Sequence, residues 1–196
     1  MSKFIGTRVE LIDKYGPFIV EQTKGTGILP GTLITQLIVE SQGKVGGSYK
    51  VGGSTLSRNA QNYFGIKCGS SWKGQKYEIR TREEDKNGNS YYVVACFRQY
   101  DGIESSIKDY IRFLQTNQRY KNAGFFQQKT VLGQFQALKK AGYATAGSYV
   151  DLLNKVYTPL KNKIDNIPTT NGPNNIGLIV PVVVLAASIY YFWHKF

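Results

Sequence analysis

A carboxylate at the end of an apolar helix is a candidate proton donor, and Glu40 holds that position. The run Leu33-Ile34-Thr35-Gln36-Leu37-Ile38-Val39-Glu40-Ser41 places Leu33, Ile34, Leu37 and Ile38 at helical spacing, and a loop rich in Gly and Ser follows. At that end of a helix a negative charge faces the negative pole of the dipole. Apolar neighbours also strip water from it. Both effects favour the neutral acid, the form a glycosidase needs in its general acid near neutral pH. The plainer reading is a solvated residue closing an ordinary core helix.

Other hydrolytic chemistries are disfavoured by residue type. The single histidine, His194, lies next to the C-terminus beyond an apolar stretch. A Ser-His-Asp or Cys-His hydrolase needs a histidine beside its nucleophile. Two cysteines and one histidine do not make a structural zinc site, and no cofactor or metal is expected. Cys68 and Cys96 pair only if two strands bring them together; free thiols are the competing reading. The formal net charge of +12 suits a polyanionic partner or surface. Lys and Arg are scattered, without a compact basic run or a nucleic-acid module, so no specific nucleic-acid partner is expected.

Periodicity outlines the elements that must hold Glu40. Phe4 to Thr23 reads as two short helices broken near Gly16-Pro17, because Pro suits a first helical turn. Pro30 starts the helix that ends near Glu40. Gly43 to Asn59 reads as a polar loop, either a lip over a cleft or an inert surface insertion. Tyr77, Ile79 and Thr81 alternate with charged residues, and Tyr91 to Phe97 is a β-rich run. Asn87-Gly88 between them is a hairpin turn signal. Helical spacing returns at Ile103-Ile107-Tyr110-Ile111-Leu114, at Val131 to Ala141 and at Tyr149-Leu152-Leu153-Val156-Leu160.

An ordered series of short motifs accompanies Glu40-Ser41. It runs Asn62-Tyr63-Phe64-Gly65-Ile66-Lys67, Ser71-Trp72-Lys73-Gly74, Phe97-Arg98-Gln99-Tyr100, Glu104 to Tyr110, Arg119-Tyr120 and Lys140-Ala141-Gly142-Tyr143-Ala144-Thr145. From roughly Phe18 to Tyr157 the chain resembles the N-acetylglucosaminidases of glycoside hydrolase family 73, which cleave peptidoglycan. The resemblance implies an α+β, lysozyme-like fold: a mainly helical lobe, a small antiparallel β-hairpin lobe and a glycan cleft. It implies Glu40 as general acid acting on peptidoglycan glycan strands. Relatives carry a Thr-x-Glu on the strand lobe, and Thr81-Arg82-Glu83 matches it. That makes Glu83 the candidate base, with Glu84 its rival. A solvated hairpin end and assistance by the substrate's own N-acetyl group are the alternatives. Tyr63, Phe64, Trp72, Tyr100 and Tyr120 are candidates to pack on sugar faces, and Asn62 to orient the cleft backbone. Many relatives follow Glu-Ser with Gly-Trp-Gly. Here Gln42-Gly43-Lys44 follows, which removes one stacking surface. A muramidase or lytic transglycosylase acting on the same polymer, or an inactive binding protein, are the alternative functions.

The expected organisation is a catalytic domain over 1–164, a linker over 165–175 and a transmembrane anchor over 176–196. Ile176 to Trp193 carries no charge and is long enough to cross a bilayer as one helix. Tyr190, Tyr191 and Trp193, beside Lys195, suit the membrane interface. Met1 to Gly16 holds no long apolar stretch of the secretory kind. The expectation is a lytic enzyme of a bacteriophage held in a virion membrane, with the bacterial cell envelope as the alternative location.

Overall fold

The computed structural model describes residues 3–84, 90–144 and 146–168, with the side chains of 81–84 and 90 excepted. In chain order its elements are α1 (Arg8–Thr23), α2 (Pro30–Ser41), β1 (Gly43–Val45), β2 (Ser48–Lys50), α3 (Thr55–Ala60), β3 (Lys76–Glu84), β4 (Ser90–Arg98), α4 (Ile103–Thr116), α5 (Gln118–Asn122), α6 (Val131–Lys140), α7 (Tyr149–Tyr157) and α8 (Lys161–Asp165). Every residue of α2 from Gly31 to Ile38 is buried. A helix apolar on all sides needs protein around it. α1, α6, α7 and α8 supply that packing, and the core joins Leu33, Ile34, Leu37 and Ile38 to Leu11, Ile19, Ile107, Tyr110 and Leu138. At the start of α2, Pro30 removes one orphan donor. Gln134 of α6 accepts the Leu29 N–H at 3.0 Å and donates to the Gly27 carbonyl at 2.6 Å. The buried helix entry is thus satisfied from a distant element.

The expected break at Gly16-Pro17 does not occur. α1 runs through both residues as one helix, begun by a Thr7–Glu10 capping box. Pro17 removes one ladder hydrogen bond, but Ile12, Tyr15 and Ile19 are buried on both sides of it and keep the helix on the core. Gly16 is explained by packing: a Cβ there would lie 2.9 Å from Ile167 Cδ1. That contact also corrects the linker. Ile167, inside the span read as a linker, is 9% exposed and belongs to the core.

The Gly43 to Asn59 stretch is structured as well. β1 and β2 form a hairpin, and α3 follows, capped by Ser54. Ser41 anchors this segment: its Oγ accepts the Gly52 N–H at 3.1 Å, and its carbonyl accepts the Ser54 N–H at 2.9 Å. The longer hairpin pairs β3 with β4 antiparallel, with Tyr77 opposite Phe97 and Glu83 opposite Tyr91. Its Asn87-Gly88 turn lies outside the described residues, as does the apolar stretch Ile176–Trp193. Among the described residues no helix is long and apolar enough to cross a membrane.

Cys68 and Cys96 form a disulfide with Cα atoms 5.4 Å apart. Backbone hydrogen bonds from Cys68 N to Cys96 O, at 2.8 Å, and from Arg98 N to Ile66 O, at 3.0 Å, bind the same segment to β4.

Candidate active site

Glu40 ends up where the central helix meets a cleft of about 350 Å³, lined also by Phe64, Lys67, Phe113, Arg119 and Tyr143. Burial pushes the Glu40 carboxyl above its ordinary value, and a hydrogen bond from Tyr149 partly opposes the rise. That direction favours the neutral acid relative to an ordinary Glu, the form a proton donor needs.

A buried hydrogen-bond chain fixes this carboxyl. The Tyr110 hydroxyl donates to Gln36 Oε1 at 2.6 Å, Gln36 Nε2 donates to the Tyr149 hydroxyl at 3.2 Å, and that hydroxyl donates to Glu40 Oε1 at 3.0 Å. The chain reaches Glu40 through Oε1. Tyr143 stacks near Tyr149, with centroids 5.9 Å apart, and donates to the Phe64 carbonyl at 3.1 Å.

The opposite wall is built by the turn after α3. Asn62, 1% exposed, accepts the Ile66 N–H at 3.0 Å and donates to the carbonyls of Ile66 and Arg98 at 2.9 and 2.8 Å. It shapes the cleft backbone, while its side chain stays internal. Gly65 takes a left-handed φ of 65°, which a side chain would strain. Phe64 lines the cleft and stacks on Tyr110 at 4.0 Å.

Of the other aromatic candidates, two are fully buried and two line grooves outside this cleft. Tyr63 is in the core with no exposed surface, and its hydroxyl donates to the Phe4 carbonyl. Burial pushes that hydroxyl up to about 12. Tyr120 is likewise buried and accepts from Arg119 Nη2 at 2.6 Å, so it supports a cleft cation rather than facing sugar. Trp72 lines two grooves outside the Glu40 cleft, and Tyr100 lines one of them. Tyr100 donates to Asp109 at 2.8 Å, beside Arg98 at 2.7 Å and Arg112 at 2.5 Å. Burial alone would raise Asp109, but the donors from Arg112, Arg98 and Tyr100 outweigh it and hold the carboxyl below its ordinary value. This cluster ties β4 to α4. Glu83 and Glu84 lie in β3 opposite Tyr91 and Ser90, and their side chains are outside the described atoms. Among the described residues no group of three potential ligands could hold a metal ion.

The sequence reading did not single out Gln36, Phe113, Arg119, Tyr143 or Tyr149 as site residues. Gln36 carried a usable signal: an amide in an apolar helix, four residues before Glu40 and so on its face. Tyr149 had none, being 109 residues from its partner.

Comparison with known proteins fits this geometry. The family model described as glucosaminidase, mannosyl-glycoprotein endo-beta-N-acetylglucosaminidase, matches residues 16–162. The peptidoglycan hydrolase FlgJ of Vibrio parahaemolyticus is 31% identical over 157 residues, covering 80% of this chain and 47% of that protein. FlgJ of Salmonella typhimurium is 35% identical over 113 residues, 58% of this chain and 35% of its own length. The chain thus spans about half or less of these curated relatives. The truncated glycoside hydrolase domain of Salmonella typhimurium FlgJ superposes with a TM-score of 0.58 at 28% identity, over 79% of this chain and 98% of that one. The catalytic domain of the autolysin Auto from Listeria monocytogenes shares the fold, with a TM-score of 0.65 at 22% identity over 79% of this chain and 84% of that one. A lysozyme-like α+β fold, an acid at the end of its central helix and a family match over most of its length lead to one conclusion: the chain belongs to the glucosaminidase family.

Proposed function

We propose that this chain is a peptidoglycan hydrolase that cuts β-1,4 glycosidic bonds as an endo-β-N-acetylglucosaminidase, with Glu40 as general acid. The observation that carries the reading is a desolvated carboxyl, held through one oxygen by Tyr149, at a cleft walled by Phe64, Phe113 and Tyr143. Glu40 gives its proton to the leaving glycosidic oxygen as the bond to the anomeric carbon breaks. Water, deprotonated by Glu83 as the candidate base, or first the substrate's N-acetyl oxygen, attacks the anomeric carbon through an oxocarbenium-like transition state. Similarity to proteins described as peptidoglycan hydrolases supports the polymer. The test is digestion of purified glycan strands with analysis of the new reducing ends. N-acetylglucosamine ends are expected, and N-acetylmuramic ends would make the enzyme a muramidase. Glu40→Gln is expected to lower the rate on the order of 10²–10⁴-fold; a near-normal rate removes Glu40 from the role.

We further propose that the uncharged stretch Ile176–Trp193 anchors the enzyme in a membrane, that of a bacteriophage particle being the favoured location. An oxidised Cys68–Cys96 pair fits work outside a reducing cytosol. Because Ile167 packs in the core, the truncation that tests the anchor ends after Pro168. The truncated chain should cut isolated peptidoglycan and no longer float with lipid. Continued flotation would refute the anchor, and absence of the full chain from purified particles would refute the particle.

A further inference from the structure

A second groove, of about 710 Å³, adjoins the Glu40 cleft. Phe113 lines both, with the cleft on one side and Ser71, Trp72, Lys73, Arg112 and Asn117 on the other. The groove is cationic. Lys73, Arg98 and Arg112 line it, and no acidic residue is among the described residues that do. Asp109 stands behind the groove wall, bridged by Arg98 and Arg112. Trp72 is held at two points: its Nε1 donates to the Gln75 carbonyl at 2.9 Å, and the Arg98 guanidinium lies 4.7 Å from its ring centre. Lys73 and the outer part of Arg112 are exposed. The groove thus presents cations beside the side-chain amide of Asn117 and the hydroxyls of Ser71 and Thr116.

We infer that this groove receives the carboxylate-bearing peptide stems of the substrate while the glycan lies at Glu40, an inference that rests on the glycan-hydrolase reading. Peptide stems offer both groups the groove can pair with: carboxylates for Lys73 and Arg112, and amides for Asn117 and the hydroxyls. Charged hydrogen bonds of this kind are the stronger ones. A stem attached to a sugar already held in the cleft is presented at high effective concentration. A free anionic wall polymer lacks that tether, which favours the stem. The role also differs from sugar stacking for Trp72, whose indole serves as a wall.

The experiment uses the full chain, with Lys73→Gln, Arg112→Gln and the double variant. Substrates are purified glycan strands bearing peptides, the same strands stripped by an amidase, and walls that retain anionic polymer. The double variant should raise KM on peptide-bearing strands roughly tenfold with kcat kept, as expected for losing charged contacts. Its KM and kcat on stripped strands should stay within about twofold of wild type. Lys73→Gln alone, which leaves the Asp109 cluster whole, should give part of the KM effect. Equal losses on both strand types, or none on either, overturn the inference. A loss confined to walls with anionic polymer assigns the groove to that polymer and overturns it too. If the wild-type chain cuts neither strand type, the glycan-hydrolase reading itself fails and this one falls with it; wild-type cutting of stripped strands separates the two failures.

Discussion

Tyr149→Phe removes one oxygen and tests the whole account of the acid. Two hydrogen bonds go with it: the 3.0 Å donation to Glu40 Oε1 and the 3.2 Å donation from Gln36 Nε2. The first contacts a group that can ionise, worth about 1.5–3 kcal/mol when charged; the second leaves a buried amide donor unpaired, at about 1–3 kcal/mol. Since the phenyl ring keeps most of the packing, the expected loss is about 2.5–6 kcal/mol where Glu40 is ionised and less where it is neutral. The pH dependence separates this from a packing defect. Glu40 holds its proton more tightly in the folded protein than an ordinary Glu does, so its contribution to stability falls as pH rises from the ordinary Glu range through the raised value. The Tyr149 bond favours the ionised form, and losing it pushes the carboxyl further up. The destabilisation by Tyr149→Phe should therefore grow as pH rises through the range in which Glu40 ionises. The alkaline limb of kcat/KM should move to higher pH, because that limb reports deprotonation of the acid. Chemical denaturation at several pH values and a pH–rate profile on isolated peptidoglycan measure both, with Glu40→Gln as the background in which the pH-dependent part must vanish. An alkaline limb that stays or moves down, with a stability loss independent of pH, would refute the reasoning.

The Cys68–Cys96 bridge closes a loop of sequence separation 28, for which loop-closure entropy gives about 3–4 kcal/mol. Cys68→Ser with Cys96→Ser, or reduction of the wild type, should lower stability by about that much in denaturant titration, and an unchanged midpoint would show that the backbone bonds to β4 suffice. Glu83→Gln is expected to slow turnover more than Glu84→Gln; small and equal effects would point to the substrate's N-acetyl group. Arg119→Ala should weaken glycan binding through the cleft wall and free the buried Tyr120 hydroxyl, costing about 1–3 kcal/mol in stability, which thermal unfolding would reveal.

The elements were legible where a single local rule decided them. Pro30 at the start and the apolar run to Ile38 mark α2, alternation marks β3, and a β-rich run marks β4. The sequence misled where tertiary contact overrode a local signal. Pro17 breaks a helix by its missing N–H, yet burial of Ile12, Tyr15 and Ile19 on a common face outweighs one lost bond. The glycine-rich stretch after Ser41 looked like an open loop because its order comes from bonds of Ser41 to Gly52 and Ser54, which have no periodicity to read. Ile167 looked like linker because the polar residues after it dominate the local composition, while its partner is Gly16.

The site divides along the same line. Glu40 could be read because what perturbs it, the helix end and its apolar turn, is encoded in neighbouring residues. What orients it could not be, since Tyr110, Gln36 and Tyr149 come from three helices brought together only by folding. Aromatic type alone was a poor guide for the same reason: a Tyr buried in the core and a Tyr at a cleft have the same local sequence logic. Tyr63 and Tyr120 went inward, where their hydroxyls meet Phe4 and Arg119, and Tyr143 and Phe113 took the cleft. This arrangement has a mechanical consequence. Glu40 stands at the end of the most buried helix, and its Oε1 is held by a chain that passes through the core. Displacing Glu40 therefore requires disturbing α2, α4 or α7. A general acid must keep its proton within hydrogen-bond reach of the leaving oxygen, and in the role proposed for Glu40 the bond from Tyr149 supplies that positioning from inside the core.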